Sequence, residues 1–112
     1  MKIKTNELAG PALDWAVCKA LGHHLPPMDE YKDAWLIARR FSRDWEKGGP
    51  IIGRERICLD WSPRLAEIEW VATRFEGSSV SEEYGPTPLV AAMRCYVMSQ
   101  LGHEVEVPEE LK

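Results

Sequence analysis

The sequence predicts an α+β fold: a small, mainly antiparallel sheet, two main helices over about residues 10–21 and 87–101, and a short helix near 50–56. Three observations carry this reading. Two segments set apolar residues at helical spacing between a proline at the start and a glycine at the end. Between them, residues 67–75 alternate apolar and polar side chains with the period of a strand. The 112 residues are 45% hydrophobic, which suits a single domain over 1–112 with one core and no need of disulfide or metal.

Residues 2–4 read as a short strand. In the first helix, from about Gly10 to Leu21, Pro11 suits the first position and Asp14 complements the positive end. Leu13, Ala16, Val17, Ala20 and Leu21 recur at helical spacing, and Gly22 is a stop. His23 to Glu30 is a loop around Pro26-Pro27. The segment from Tyr31 to Phe41 has two readings. Tyr31, Trp35 and Ala38 fit a helix, whereas Trp35, Ile37 and Phe41 fit a period of two with Arg39 as the exception. The strand, over roughly 34–41, is the reading adopted.

Residues 42–47 are polar apart from Trp45. Gly48-Gly49-Pro50 then puts Pro50 at the start of a short helix through about Glu55. Residues 57–63 read as irregular. On the strand at 67–75, Ile68, Trp70 and Ala72 face one way and Glu67, Glu69 and Thr73 the other. Residues 77–85 read as a polar loop. Thr87 caps the last helix and Pro88 opens it. Leu89, Ala92, Met93, Tyr96, Val97 and Leu101 form one broad apolar face, and Val90, Ala91, Cys95 and Met98 cover much of the remainder. A helix apolar nearly all round is buried in its own protein or covered by a partner. Gly102 ends it, and Val105 and Val107 alternate with glutamates as a short strand before Pro108.

Four of these segments carry a family pattern: Ala12-Leu13-Asp14-Trp15-Ala16-Val17, then Asp44-Trp45 with Gly49-Pro50-Ile51-Ile52 and Ile57, then Trp70-Val71-Ala72. The fourth and longest is Gly85-Pro86-Thr87-Pro88-Leu89-Val90-Ala91-Ala92-Met93-Arg94-Cys95-Tyr96-Val97, followed by Leu101-Gly102 and Val105-Glu106-Val107-Pro108. In this order they resemble the NinX-like family of small phage and prophage proteins. The resemblance implies a phage or prophage origin and a place in the bacterial cytoplasm. It brings no catalytic or ligand residues with it.

The residues themselves limit the chemistry. A net charge of -4 argues against general nucleic-acid binding, which draws its affinity from neutralised phosphates. Cys18, Cys58 and Cys95 form no Cys-x-x-Cys pair and read as three reduced, mostly buried thiols. Lys2 and Lys4 are followed by no apolar signal segment, and no apolar run is long enough for a bilayer, so a cytoplasmic protein is expected. No cofactor is expected: Gly48-Gly49-Pro50 lacks the Gly-Lys-Ser/Thr of a phosphate cradle. No metal is expected either. His23-His24 and His103 follow Leu-Gly at helix ends, where they serve termination rather than zinc. Cys95 lies in the middle of an apolar helix, which raises a thiol's pKa and leaves it inert. Glu67 and Glu69 read as a solvated strand face.

Two features are sharper. Arg94 is the only formal charge between Thr87 and Leu101, and in a buried helix it must meet carboxylates or carbonyls, or reach a cleft. Asp14 and Asp60 are the expected ion-pair partners. The second feature is Arg39-Arg40-Phe41-Ser42-Arg43-Asp44-Trp45 with Trp35 just before it, because arginines among aromatics anchor interfaces or stack on bases. The candidate ligand or partner residues are therefore Arg94, Trp35, Arg39, Arg40, Arg43 and Trp45. No catalytic constellation is visible, so the leading expectation is a phage accessory protein that binds a host or phage protein. A homo-oligomer joined through the last helix is a related expectation. The alternatives are a small anionic-metabolite or nucleotide-binding protein, an enzyme included, that uses Arg94, and a weak single-stranded nucleic-acid binder using residues 35–45.

Overall fold

The computed structural model describes residues 1–23, 25, 32–64 and 67–111. In chain order the elements are β1 (Lys2–Lys4), a 3-10 turn (Thr5–Glu7), α1 (Gly10–Ala20), α2 (Lys32–Ala38), α3 (Trp45–Glu55), β2 (Cys58–Arg64), β3 (Glu67–Glu76), β4 (Ser79–Gly85), α4 (Pro88–Leu101) and β5 (Glu104–Glu106). A second 3-10 turn, Glu109–Leu111, follows β5. The α+β class holds, but the strands form two antiparallel sheets rather than one. One has the order β1-β5 and the other β2-β3-β4. In the first, Lys2 and Lys4 face Glu106 and Glu104, so opposite charges sit directly across from each other.

The centre of the protein is α4. Its side chains at Leu89, Ala91, Ala92, Met93, Cys95, Tyr96 and Val97 are all buried. α1 packs on one side of it and the β2–β3–β4 sheet on the other, with α3 alongside. A helix enclosed this way must be apolar nearly all round, as its sequence is. The Thr87 side chain accepts the Val90 N–H at 3.1 Å, and Pro88 opens the first turn. α1 is buried continuously from Ala12 to Cys18, including the charged Asp14, and its Pro11 lies in the first turn.

Four expectations are corrected. The strand expected over 34–41 is the helix α2. Trp35 is buried there, Ile37 is 59% exposed, and Phe41 is buried beyond the helix end, so the period of two is lost. Arg39, the exception to the alternation, stacks on the ring of Trp35, four residues earlier, which is a helical spacing. The short helix near 50–56 begins five residues sooner, at Trp45. Asp44 caps it by accepting the Glu46 N–H at 3.0 Å, and Pro50 lies inside. The segment taken as irregular at 57–63 contains β2, whose Pro63 is tolerated because β2 is an edge strand. The polar loop expected over 77–85 is the end of a hairpin and β4. Gly77, at φ +61, and Ser78 form its two-residue turn, with glycine in the left-handed first position that a type II′ turn requires.

Gly85 ends β4 against α4. A Cβ there would lie 2.6 Å from the Ala91 nitrogen, so glycine lets strand and helix backbones approach. On β3, Ala72 is fully buried and Trp70 is packed against the core, as the alternation predicts. The side chains of Glu67 and Ile68 lie outside the described residues, as do His24 and most of the loop assigned to 23–30. Among the described residues no helix is long and apolar enough to cross a membrane.

Candidate functional site

The arginine–aromatic segment is mostly turned inward. Trp35 is 7% exposed, with the Arg39 guanidinium 5.0 Å from its ring centre. Phe41 and Ser42 are buried. The Asp14 carboxylate, fully buried in α1, accepts the Ser42 N–H at 2.8 Å, the Ser42 hydroxyl at 2.6 Å and Nη2 of Arg43 at 3.2 Å. This ties the turn before α3 to α1. Of the candidates in this segment, Arg40, Arg43 and Trp45 are exposed, Trp45 to 54%. Trp35 and Arg39 pack on each other, and Arg43 keeps one bond to Asp14.

Arg94 projects from α4 towards β4 and the first 3-10 turn. Its Nε donates to the Leu8 carbonyl at 2.8 Å and its Nη1 to the Tyr84 carbonyl at 2.9 Å. The expected ion pair with Asp14 or Asp60 is replaced by these carbonyls. Asp14 is committed to Ser42 and Arg43, and the Asp60 carboxylate accepts its neighbour's N–H, that of Trp61. Burial pushes the Arg94 pKa down, while the nearby carboxylates of Glu83 and Glu69 oppose that shift. Two charge-assisted bonds in a planar fork clamp two chain segments to α4 through one side chain.

Beside this clamp lies a furrow between the two sheets. A cavity of about 360 Å³ is lined by Asn6, Glu7, Glu69, Glu83, Tyr84 and Arg94. A second, of about 160 Å³, adds Lys4, Met98, His103 and Glu104. A third, of about 460 Å³, runs on to Val80 and Glu82. Glu83 borders all three and is 7% exposed. Burial raises its pKa, against the pull of Arg94, His103 and the backbone N–H of Tyr84. The furrow wall at the 3-10 turn is held by the Thr5 hydroxyl, which donates to the Gly102 carbonyl at 2.6 Å, and by the Thr5 N–H, which donates to His103 at 2.8 Å.

Carboxylates outnumber cations along this furrow, so its field repels anions despite Arg94. Among the described residues no group of three or more His, Cys, Asp and Glu side chains is disposed to hold a metal. Glu83 was missed by the sequence reading, which set it in a polar loop. The signal was there: from Val80 to Gly85 every second residue belongs to one face, and Glu83 shares its face with Gly85.

The cysteines separate by position. Cys18 and Cys95 are buried and Cys58 is exposed, which agrees with the expectation of mostly buried thiols. Burial, reinforced by the nearby Glu83 charge, pushes the Cys95 thiol up to about 12. Burial also raises Cys18, with Arg39 opposing. Neither is a nucleophile at neutral pH.

Comparison with curated proteins returns no match. The family model described as bacteriophage P22, NinX matches residues 4–100, from the end of β1 through nearly all of α4, and the chain therefore belongs to the NinX family of phage proteins.

Proposed function

We propose that this phage accessory protein acts as a protein-binding module. One observation carries the reading: Arg94, Asp14 and Cys95 are engaged inside the fold, while large apolar groups stand outside it. Arg94 is clamped on two carbonyls, Asp14 is saturated, and Cys95 is buried. In contrast Ile37, Trp45, Trp61, Phe75 and Val80 are each more than half exposed, and all five sit on helices or strands. Exposed apolar side chains on regular elements suit recognition of another surface. The single-stranded nucleic-acid reading is weakened, because Trp35 and Phe41 are buried and only Trp45 of its three rings is exposed. Self-association through α4 loses its premise, because the protein's own sheet and α1 cover that helix.

Capture with tagged protein from phage-infected lysate, with and without nuclease, tests the proposal. A stoichiometric protein that survives nuclease is the expected result. An empty capture refutes it. A second reading, a small-molecule site, is favoured by the cavity that adjoins Arg94. Thermal stabilisation by anionic metabolites is its signature, and the carboxylates of Glu7, Glu69 and Glu83 in the same cavity oppose such ligands.

A further inference from the structure

We propose that the face of the β2–β3–β4 sheet turned away from α4 is the docking surface, and that its occupant is a partner-protein segment carrying both apolar and basic side chains. This rests on the protein-binding reading and adds to it a place and a partner chemistry.

Strand alternation divides the sheet into two faces. Leu59, Ala72, Glu83 and Gly85 lie on the α4 side, where Ala72, Glu83 and Gly85 are buried. The other face holds Val71 opposite Tyr84, Thr73 opposite Glu82, and Phe75 opposite Val80. Asp60 continues it on β2, across from Val71. Phe75 is 64% exposed and Val80 57%, so a directly opposed aromatic–aliphatic pair faces solvent beside the Gly77-Ser78 turn. Such a pair on a rigid hairpin is an anchor with little rotamer freedom to lose on binding.

Charge selects the occupant. The described carboxylates on this face are Asp60, Glu69 and Glu82; Glu69 borders the Arg94 cavity, whereas Asp60 and Glu82 are in no described ion pair. The strand's own arginine, Arg74, lies on the α4 side, bonded to Glu55 at 3.1 Å and Glu76 at 3.0 Å. At the far end, Arg64 and Glu67 are register partners whose side chains lie outside the described residues. The Tyr84 hydroxyl donates to Glu82 at 3.0 Å and so holds one of the carboxylates at the surface. A second copy docked here would oppose acid to acid, which disfavours self-pairing. A segment with lysines or arginines around apolar anchors matches both features of the face.

The test titrates isotope-labelled full-length protein with an amphipathic Lys/Leu helical peptide and, separately, with its Glu/Leu counterpart, reading amide shifts and affinity. The Lys/Leu peptide is expected to move Val71, Thr73, Phe75, Val80 and Glu82, and to bind more weakly as salt rises. Phe75→Ser with Val80→Ser, and separately Glu82→Lys, each weaken it by about tenfold or more. Lys47→Ala and Glu110→Gln, outside this sheet, leave it unchanged. These positions are exposed, and circular dichroism verifies that each variant is folded. Shifts centred elsewhere, equal binding of the Glu/Leu peptide, or undiminished binding by the variants overturns the proposal. A wild-type dimer in sedimentation that the Phe75→Ser/Val80→Ser variant disrupts gives the face to a second copy and also overturns it. In the lysate capture, a stoichiometric partner retained by these variants overturns the face alone, whereas an empty capture overturns the binding-module reading as well.

Discussion

Asp14→Ala is the substitution that strikes hardest at the architecture. The carboxylate is fully buried and accepts three hydrogen bonds, two from Ser42 and one from Arg43. Hydrogen bonds to a charged acceptor contribute about 1.5–3 kcal/mol each, and buried donors left unmatched cost a similar amount. Ser42 is 3% exposed, so its N–H and hydroxyl gain no water when the acceptor is removed. The Arg43 side chain is 46% exposed, and its contribution is discounted to below about 1 kcal/mol. The expected loss is about 3–5 kcal/mol, a large share of the ~5–15 kcal/mol typical of a domain. Urea denaturation reads it directly. With a slope of about 1–3 kcal/mol per molar, the midpoint falls by about 2 M. Ser42→Ala, which keeps the backbone donor, costs about 1 kcal/mol, and Arg43→Ala less. An Asp14→Ala loss below about 1 kcal/mol, or one no larger than that of Arg43→Ala, would refute the view that this carboxylate pins the turn before α3 to α1.

Three other outcomes follow from the same geometry. Arg94→Met removes both carbonyl bonds of the clamp and lowers stability by about 2–4 kcal/mol in denaturant, and Arg94→Lys recovers only part because an ammonium cannot reproduce the fork. Glu83 has a folded-state pKa above its unfolded value, so the native state binds the proton more tightly. Stability therefore falls as pH rises from the ordinary glutamate range through the raised value, and Glu83→Gln flattens that slope and stabilises the protein at neutral pH, as melting temperatures across pH will record. Iodoacetamide at pH 8 modifies Cys58 quickly in the native protein, while Cys18 and Cys95 are protected until unfolding, as peptide mass spectrometry resolves.

The helices at either end of the chain were legible because their signals are local. Thr87-Pro88 and Gly102 bracket α4, and Pro11 and Gly22 bracket α1, whatever the rest of the chain does. The middle was harder because its elements are decided by tertiary contacts. α2 is seven residues long and, among its described side chains, sends only Trp35 deep into the core, so its short apolar run has no clear period. β2 and β4 are edge strands, with a proline in one and mostly polar residues in the other, and a single sequence gives such strands the look of loops. For the candidate site, the need of Arg94 for partners was readable from its apolar setting. The partners were not, because every residue has a carbonyl and no side chain advertises Leu8 or Tyr84 as the acceptor. Likewise nothing local to Arg43 shows that a carboxylate 29 positions earlier will claim it.

Pro50 leaves α3 with two natural beginnings. Five residues into the helix it withholds the N–H that the Glu46 carbonyl would accept, and Gly48 and Gly49 precede it. Together these three residues disfavour a helix by about 5 kcal/mol relative to alanines. The first turn therefore exists through the Asp44 cap and the fit of Gly48 against the Phe41 carbonyl and Leu89, while the turns after Pro50 start from a proline suited to opening a helix. The turn that carries Trp45 can unwind up to Pro50 while the later turns stay wound, and its amides should exchange with solvent ahead of those around Ile51 and Ile52. A chain with a proline at this point has a detachable leading turn, so the exposed indole of Trp45 rides on the part of α3 most easily reshaped.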